Sequence, residues 1–135
     1  MTASDAPTAK AQISGRVADG WQDNTDWADV KVHYSLDAVH PHSGRLSQRI
    51  DVGRGFAQFV QPVRFTAGHY LFRVWLRADP AQFVEVSLRE AGAPYASYVS
   101  APVRVGPDWQ EVTAEGLTPS LDGFALVRTT SPGTV

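Results

Sequence analysis

The sequence predicts an all-β protein, an antiparallel sandwich or barrel, on three observations. Apolar and polar residues alternate in short runs along most of the chain. Clusters of Gly, Pro, Asp and Asn punctuate those runs. Helical periodicity is almost absent. An extended chain turns successive side chains to opposite faces, so each run can offer one apolar face to a core.

The elements follow in chain order. A weak strand candidate at 11–17 opens the domain. The stretch 19–29, DGWQDNTDWAD, is a long polar connection that reads as a structured loop carrying Trp21 and Trp27. Strands are expected at 29–34, 45–52, 56–65, 69–78, 82–90, 95–105, 109–114 and 123–130. Between them stand the turns TAG (66–68), ADP (78–80), EAGAP (90–94), GPD (106–108) and SPG (131–133). In 45–52, Leu46, Ile50 and Val52 share a face against Arg45, Ser47, Arg49 and Asp51. In 69–78, Tyr70, Phe72, Val74 and Leu76 point inward, and Leu71, Arg73, Trp75 and Arg77 point outward. In 82–90, Val84, Val86 and Leu88 point inward, with Glu85, Ser87 and Arg89 outside. Burying each large aliphatic stabilises by roughly 1.5–3 kcal/mol, enough to set strand register. Pro62 and Pro102 mark bulges or edge positions, because proline cannot donate to a ladder.

At 135 residues the chain suits one domain. Residues 1–10, MTASDAPTAK, read as a loose tail and 11–135 as the sandwich. Hydrophobic content of 43% and charged content of 19% are those of a folded globular chain. A net charge of −2 and a pI near 6.0 argue against a nucleic-acid or anionic-membrane partner. Apolar runs are strand-length, too short for a membrane-spanning helix, and no apolar signal core follows Met1. The absence of cysteine excludes disulfides, thiol nucleophiles and thiolate metal sites.

Several sharper motifs carry little. VGRGFAQ (52–58) contains Gly-x-Gly, but a strand follows where a phosphate-cradling helix would be needed. His40 and His42 lack further ligands at metal spacing and suit a turn. Asp19, Asp23, Asn24, Asp26 and Asp29 could attract calcium, yet they lack the central Gly and terminal Glu of a helix-loop-helix calcium loop. Glu85, Glu90, Glu111 and Glu115 could in principle pair for glycoside hydrolysis. Each fits surface alternation, and the loops are short for a catalytic cleft. An enzyme is not expected.

The runs AQFVQPVRFTAGHYLFRVWLRAD (57–79), VEVSLREAG (84–92), PDWQEVTAEG (107–116) and HSGRLSQRI (42–50) together resemble carbohydrate-binding modules of the family four, nine and twenty-two type. The resemblance covers residues 20–133. It implies a jelly-roll, galactose-binding-domain-like sandwich, an accessory role beside a bacterial glycoside hydrolase, and a secreted or extracellular location. Both chain ends depart from the family pattern. The start reads AKAQISGRVADGW where an Asn-Gly-Phe-Glu-like strand is usual, and the chain stops at SPGTV, where a closing strand would begin. Those ends often supply a structural calcium site, so none is carried over and no cofactor is expected. An open terminal edge would favour self-association.

Glycan recognition needs aromatic faces to stack on pyranose rings and planar polar groups to hold hydroxyls. Trp75 between Arg73 and Arg77 offers both. If the 69–78 and 82–90 strands pair as a hairpin, Glu85 and Arg89 join that patch on one sheet; the alternatives are a cross-strand salt-bridge lattice with Trp75 as a semi-buried lid, or Trp75 in the core if a bulge shifts the register. Tyr95 and Tyr98 lie on opposite phases, one expected in the core and Tyr95 at the rim. Of the loop tryptophans, Trp21 is the expected plug and Trp27 the free platform, while Trp109 suits packing. Gln58, Gln61 and Arg128 are further hydroxyl partners if their strands share the sheet. The sequence-level reading is therefore a non-catalytic module that binds polysaccharide or oligosaccharide. Its alternative is a structural sandwich packed on a neighbouring catalytic domain, which would show clustered apolar anchors instead.

Overall fold

Each alternating run becomes a strand. The computed structural model describes residues 11–39 and 46–135. Among them lie β1 (Gln12–Gly15), β2 (Gln22–Asp23), β3 (Lys31–Asp37), β4 (Ser47–Arg54), β5 (Gln58–Phe65), β6 (Gly68–Leu76), β7 (Gln82–Glu90), β8 (Ser97–Val105), β9 (Gln110–Thr118), β10 (Leu121–Thr129) and β11 (Gly133–Thr134). The His40 and His42 pair falls outside the described residues.

One sheet has the order β2-β5-β10-β7-β8. Two smaller sheets, β1-β3-β4-β11 and β6-β9, pack on its inner face. All pairings are antiparallel except β1 with β3. Val84, Val86 and Leu88 of β7 join Ala125 and Val127 of β10, Leu76 of β6 and Val112 of β9 in the larger core. Val32, Tyr34, Ile50 and Val52 pack on Ala57 and Phe59 in the smaller one. Leu46, expected to share the inner face with Ile50, is half-exposed because it precedes the first residue of β4, where the alternation does not yet apply.

The expected hairpin between 69–78 and 82–90 does not form. Strand β6 pairs with β9 along its whole length, and β7 pairs with β10 and β8. Residues 77–81 arch from one layer to the other. The Ala78 amide donates to the Gly106 carbonyl at 2.7 Å, and Asp79 bridges Thr134 with two backbone bonds at 2.9 and 3.0 Å. Alternation assigns faces correctly within each strand but says nothing about which strand lies alongside. The segment SPGTV does begin a strand: β11 pairs with β4, and the Ile50 and Val135 backbones exchange bonds of 2.8 Å. Pro102 lies on the edge strand β8. Pro62 lies in β5 beyond the two residues that β2 covers, so each proline has an open side.

The loop after β2 is held by a polar knot. Asp23 accepts from the Thr25 amide at 2.9 Å, the Thr25 hydroxyl at 2.7 Å and the Tyr34 hydroxyl at 2.5 Å. Burial first, then the hydrogen bond and charge of Asp23, push the Tyr34 phenol well above its ordinary range, so it stays a donor. Tyr34→Phe is expected to cost about 1.5–3 kcal/mol in urea denaturation, the range for a hydrogen bond to a charged group. Above pH about 10 an unfolded tyrosine ionises while Tyr34 holds its proton. The native state then binds more protons, and stability falls as pH rises there; the Phe variant loses that contribution to the slope.

Candidate functional site

The outer face of the five-stranded sheet is built from the phases that do not enter the core. Across β5, β10 and β7 the register sets Gln58, Arg128 and Glu85 in one row, Val60, Leu126 and Ser87 in the next, and Pro62, Phe124 and Arg89 in the third. The middle row faces away from the core yet is almost fully buried, at 0%, 2% and 1% exposure. Along β10 and β7 longer side chains flank it on both sides, Arg128 and Phe124 on one strand and Glu85 and Arg89 on the other. A cleft of about 460 Å³ opens over this face, lined by Trp27, Gln58, Arg89, Tyr95, Phe124 and Arg128 together with Asn24 and Ala91. That volume lies within the range of small-molecule sites.

One aromatic wall comes from the knotted loop. With Thr25 buried and tied to Asp23, the chain turns so that the Trp27 indole N–H donates to the Asn24 carbonyl at 3.0 Å and to its side-chain oxygen at 3.2 Å. Trp27 leans on Phe56, with ring centres 5.8 Å apart, and remains 54% exposed. The other wall is Tyr95. Its backbone is left-handed, with φ 59°, and its amide donates to the Gly92 carbonyl at 2.7 Å. A non-glycine residue there is strained by roughly 1–3 kcal/mol, and such strain concentrates at functional positions. The ring stays 53% exposed.

Between the walls lie two guanidiniums. Arg89 stands 5.4 Å from the Tyr95 ring centre and 5.6 Å from that of Phe124, while Arg128 stands 4.9 Å from that of Phe56. Aromatic faces hold both cations by cation–π attraction. Burial, and then the neighbouring charge of Arg128, lower the Arg89 guanidinium from its usual value. Ring faces beside planar donors are what ring stacking and hydroxyl binding require.

Of the residues singled out in the sequence, Trp27, Gln58, Arg89, Tyr95 and Arg128 meet in this cleft. Glu85 shares its face, opposite Arg128, and accepts from Ser100 at 2.9 Å. Arg73, Trp75 and Arg77 do not belong to it. They lie on the β6-β9 side, so the combined Arg/Trp/Glu/Arg patch is not formed. Arg73 stands 3.5 Å from Glu111, Arg77 lies 5.8 Å from the Trp109 ring, and Trp75 is 41% exposed. Gln61 shares the phase of Phe59 and Val63 and turns from the cleft. Tyr98, expected in the core if Tyr95 is at the rim, is also exposed, because Tyr95 precedes β8 and its left-handed backbone breaks the alternation that linked the two. Trp21 is stacked on Phe59 at 4.7 Å. Phe124, Phe56 and Ala91 were not singled out, and Asn24 was named only as a possible calcium ligand; Phe124 shares the phase of Arg128 four residues on, which is the signal that finds it. Among the described residues no three His, Asp or Glu side chains form a metal cluster.

This architecture is a jelly-roll β-sandwich, similar in fold to solved carbohydrate-binding modules. Among solved structures, family 16 carbohydrate-binding module-2 is 20% identical, with a TM-score of 0.60 over 86% of this chain and 84% of its own. A family 4 carbohydrate-binding module is 17% identical, with a TM-score of 0.57 over 64% of this chain; the match spans 63% of its length, under two thirds. The enzymatically active domain of the bacteriophage CBA120 tailspike protein 4 is 14% identical, with a TM-score of 0.58, over 86% of this chain but 18% of that one. At these identities the likeness defines the fold. No protein-family profile and no curated protein sequence matches the chain.

Proposed function

We propose that the protein is a non-catalytic carbohydrate-binding module whose cleft on the five-stranded sheet takes a stretch of polysaccharide. The observation that carries this reading is the placing of Trp27 and Tyr95 on either side of Arg89, Arg128 and Gln58 in one cleft. The fold likeness supports it, and a family 61 module of similar fold (17% identity, TM-score 0.53) has its structure in complex with β-1,4-galactotriose. Following the sequence resemblance to the family four, nine and twenty-two type, the module tethers a secreted bacterial glycoside hydrolase to its substrate. Linkage makes a weak binder useful by raising effective concentration. Binding requires no metal in this reading.

Two stacking contacts and a few hydrogen bonds, at about 1 kcal/mol net each, exceed association costs only modestly. Dissociation constants of roughly micromolar to millimolar are expected. The test is titration with soluble plant and bacterial polysaccharides, followed by tryptophan fluorescence and calorimetry, with and without a chelator. Saturable quenching, indifferent to the chelator, is the expected result. A flat response from folded protein across the panel would favour the sandwich that only packs on a neighbouring domain. Trp75→Ala, on the other layer, is expected to leave the affinity within a factor of about two of the parent.

A further inference from the structure

The cleft is cationic in a chain that is not. The protein carries net −2, yet the cleft lining contains two arginines and no carboxylate. Elsewhere Arg49, Arg54, Arg64 and Arg73 each stand within 3.5 Å of an Asp or Glu oxygen. Among the described residues neither Arg89 nor Arg128 has such a partner. Glu85, the acidic group beside them on the sheet face, accepts from Ser100, and its charge acts on Arg89 less than burial and the charge of Arg128 do. The Arg89 Nε is buried and donates to nothing among the described residues. Two partly desolvated like charges on adjacent strands oppose one another, and a buried donor without an acceptor adds to the cost. A neutral hydroxyl answers the donor but leaves the repulsion. An anion answers both, and the guanidinium fork matches a planar or tetrahedral oxyanion in two-point contact.

We propose that the module selects acidic polysaccharide: a sugar ring bearing a carboxylate or sulfate ester is held by Arg89 and Arg128, while neighbouring rings lie on Trp27 and Tyr95. This rests on the carbohydrate-binding reading above and narrows its ligand class.

The test uses matched polymers: polygalacturonate and alginate for carboxylates, carrageenan for sulfate esters, each beside its carboxyl-reduced or desulfated counterpart. At least one acidic polymer is expected to bind about tenfold or more tightly than its neutral counterpart, with affinity falling as salt rises. Arg89→Gln and Arg128→Gln each reduce that binding about tenfold and remove the preference, with folding checked by circular dichroism. Arg73→Gln, on the other layer, changes neither. Equal affinity for an acidic polymer and its neutral counterpart, indifferent to salt, overturns the acidic assignment and leaves the carbohydrate-binding reading standing. A preference that survives both cleft variants overturns the placement at Arg89 and Arg128. Binding to no polymer, acidic or neutral, removes the carbohydrate-binding reading and this inference with it.

Discussion

Gly123→Ala is expected to destabilise the domain by about 2–3 kcal/mol, the upper part of the range for overpacking a filled core. Gly123 sits in β10, the middle strand of the five-stranded sheet, and an added Cβ would lie 2.4 Å from Phe65 Cε2 and 2.5 Å from the Arg89 carbonyl. Neither neighbour can withdraw cheaply. Phe65 is buried edge-on against Tyr70, with ring centres 5.0 Å apart. The Arg89 carbonyl belongs to the β7 backbone, which runs paired to β10 there. Relief therefore requires opening the strand pair that also carries the Arg89 side chain, so ligand affinity falls together with the urea midpoint. Gly92→Ala is the control: an added Cβ there meets nothing within 4 Å. An unchanged midpoint in Gly123→Ala would show that β7 and Phe65 yield more easily than their packing implies.

The largest effect on binding is expected from Trp27→Ala combined with Tyr95→Ala. Each ring stands more than half exposed at the cleft, and each stacking contact, at about 1 kcal/mol, is worth roughly fivefold in affinity. The two sit on separate loops, one held by Asn24 and the other by Gly92, so their losses should add to about thirtyfold. Calorimetry with the best polymer from the panel measures this, and thermal melts confirm that the variant folds. A double variant that binds as tightly as the parent would place the sugar elsewhere on the molecule.

Much of the fold was legible in the sequence because strand physics is local. The runs 82–90 and 69–78 assign their inner faces from alternation alone, and Val84, Val86, Leu88 and Leu76 lie in the core. Lateral neighbours were not legible. The short ADP turn between those runs looks like a hairpin connection, whereas the chain there crosses between layers, and only the distant Gly106 and Thr134 backbones show why. The candidate site divides along the same line. Arg89, Arg128, Gln58, Tyr95 and Trp27 can each be named from residue type and phase. That they converge depends on β10 lying between β5 and β7, a pairing across 56 to 70 residues of chain on one side and 33 to 45 on the other. The Arg73–Trp75–Arg77 face looked self-sufficient because its residues are contiguous in sequence.

The central position of β10 also orders events during synthesis. Strands β5 and β7 leave the ribosome well before residues 121–129 and have no direct pairing with one another. Until β10 inserts, two apolar strands carry unpaired edges at once, the condition under which nascent chains aggregate or recruit chaperones. Contacts this distant in sequence are slow to close. Arg128 and Phe124 arrive on that same late strand, so closure of the five-stranded sheet and completion of its binding face fall together.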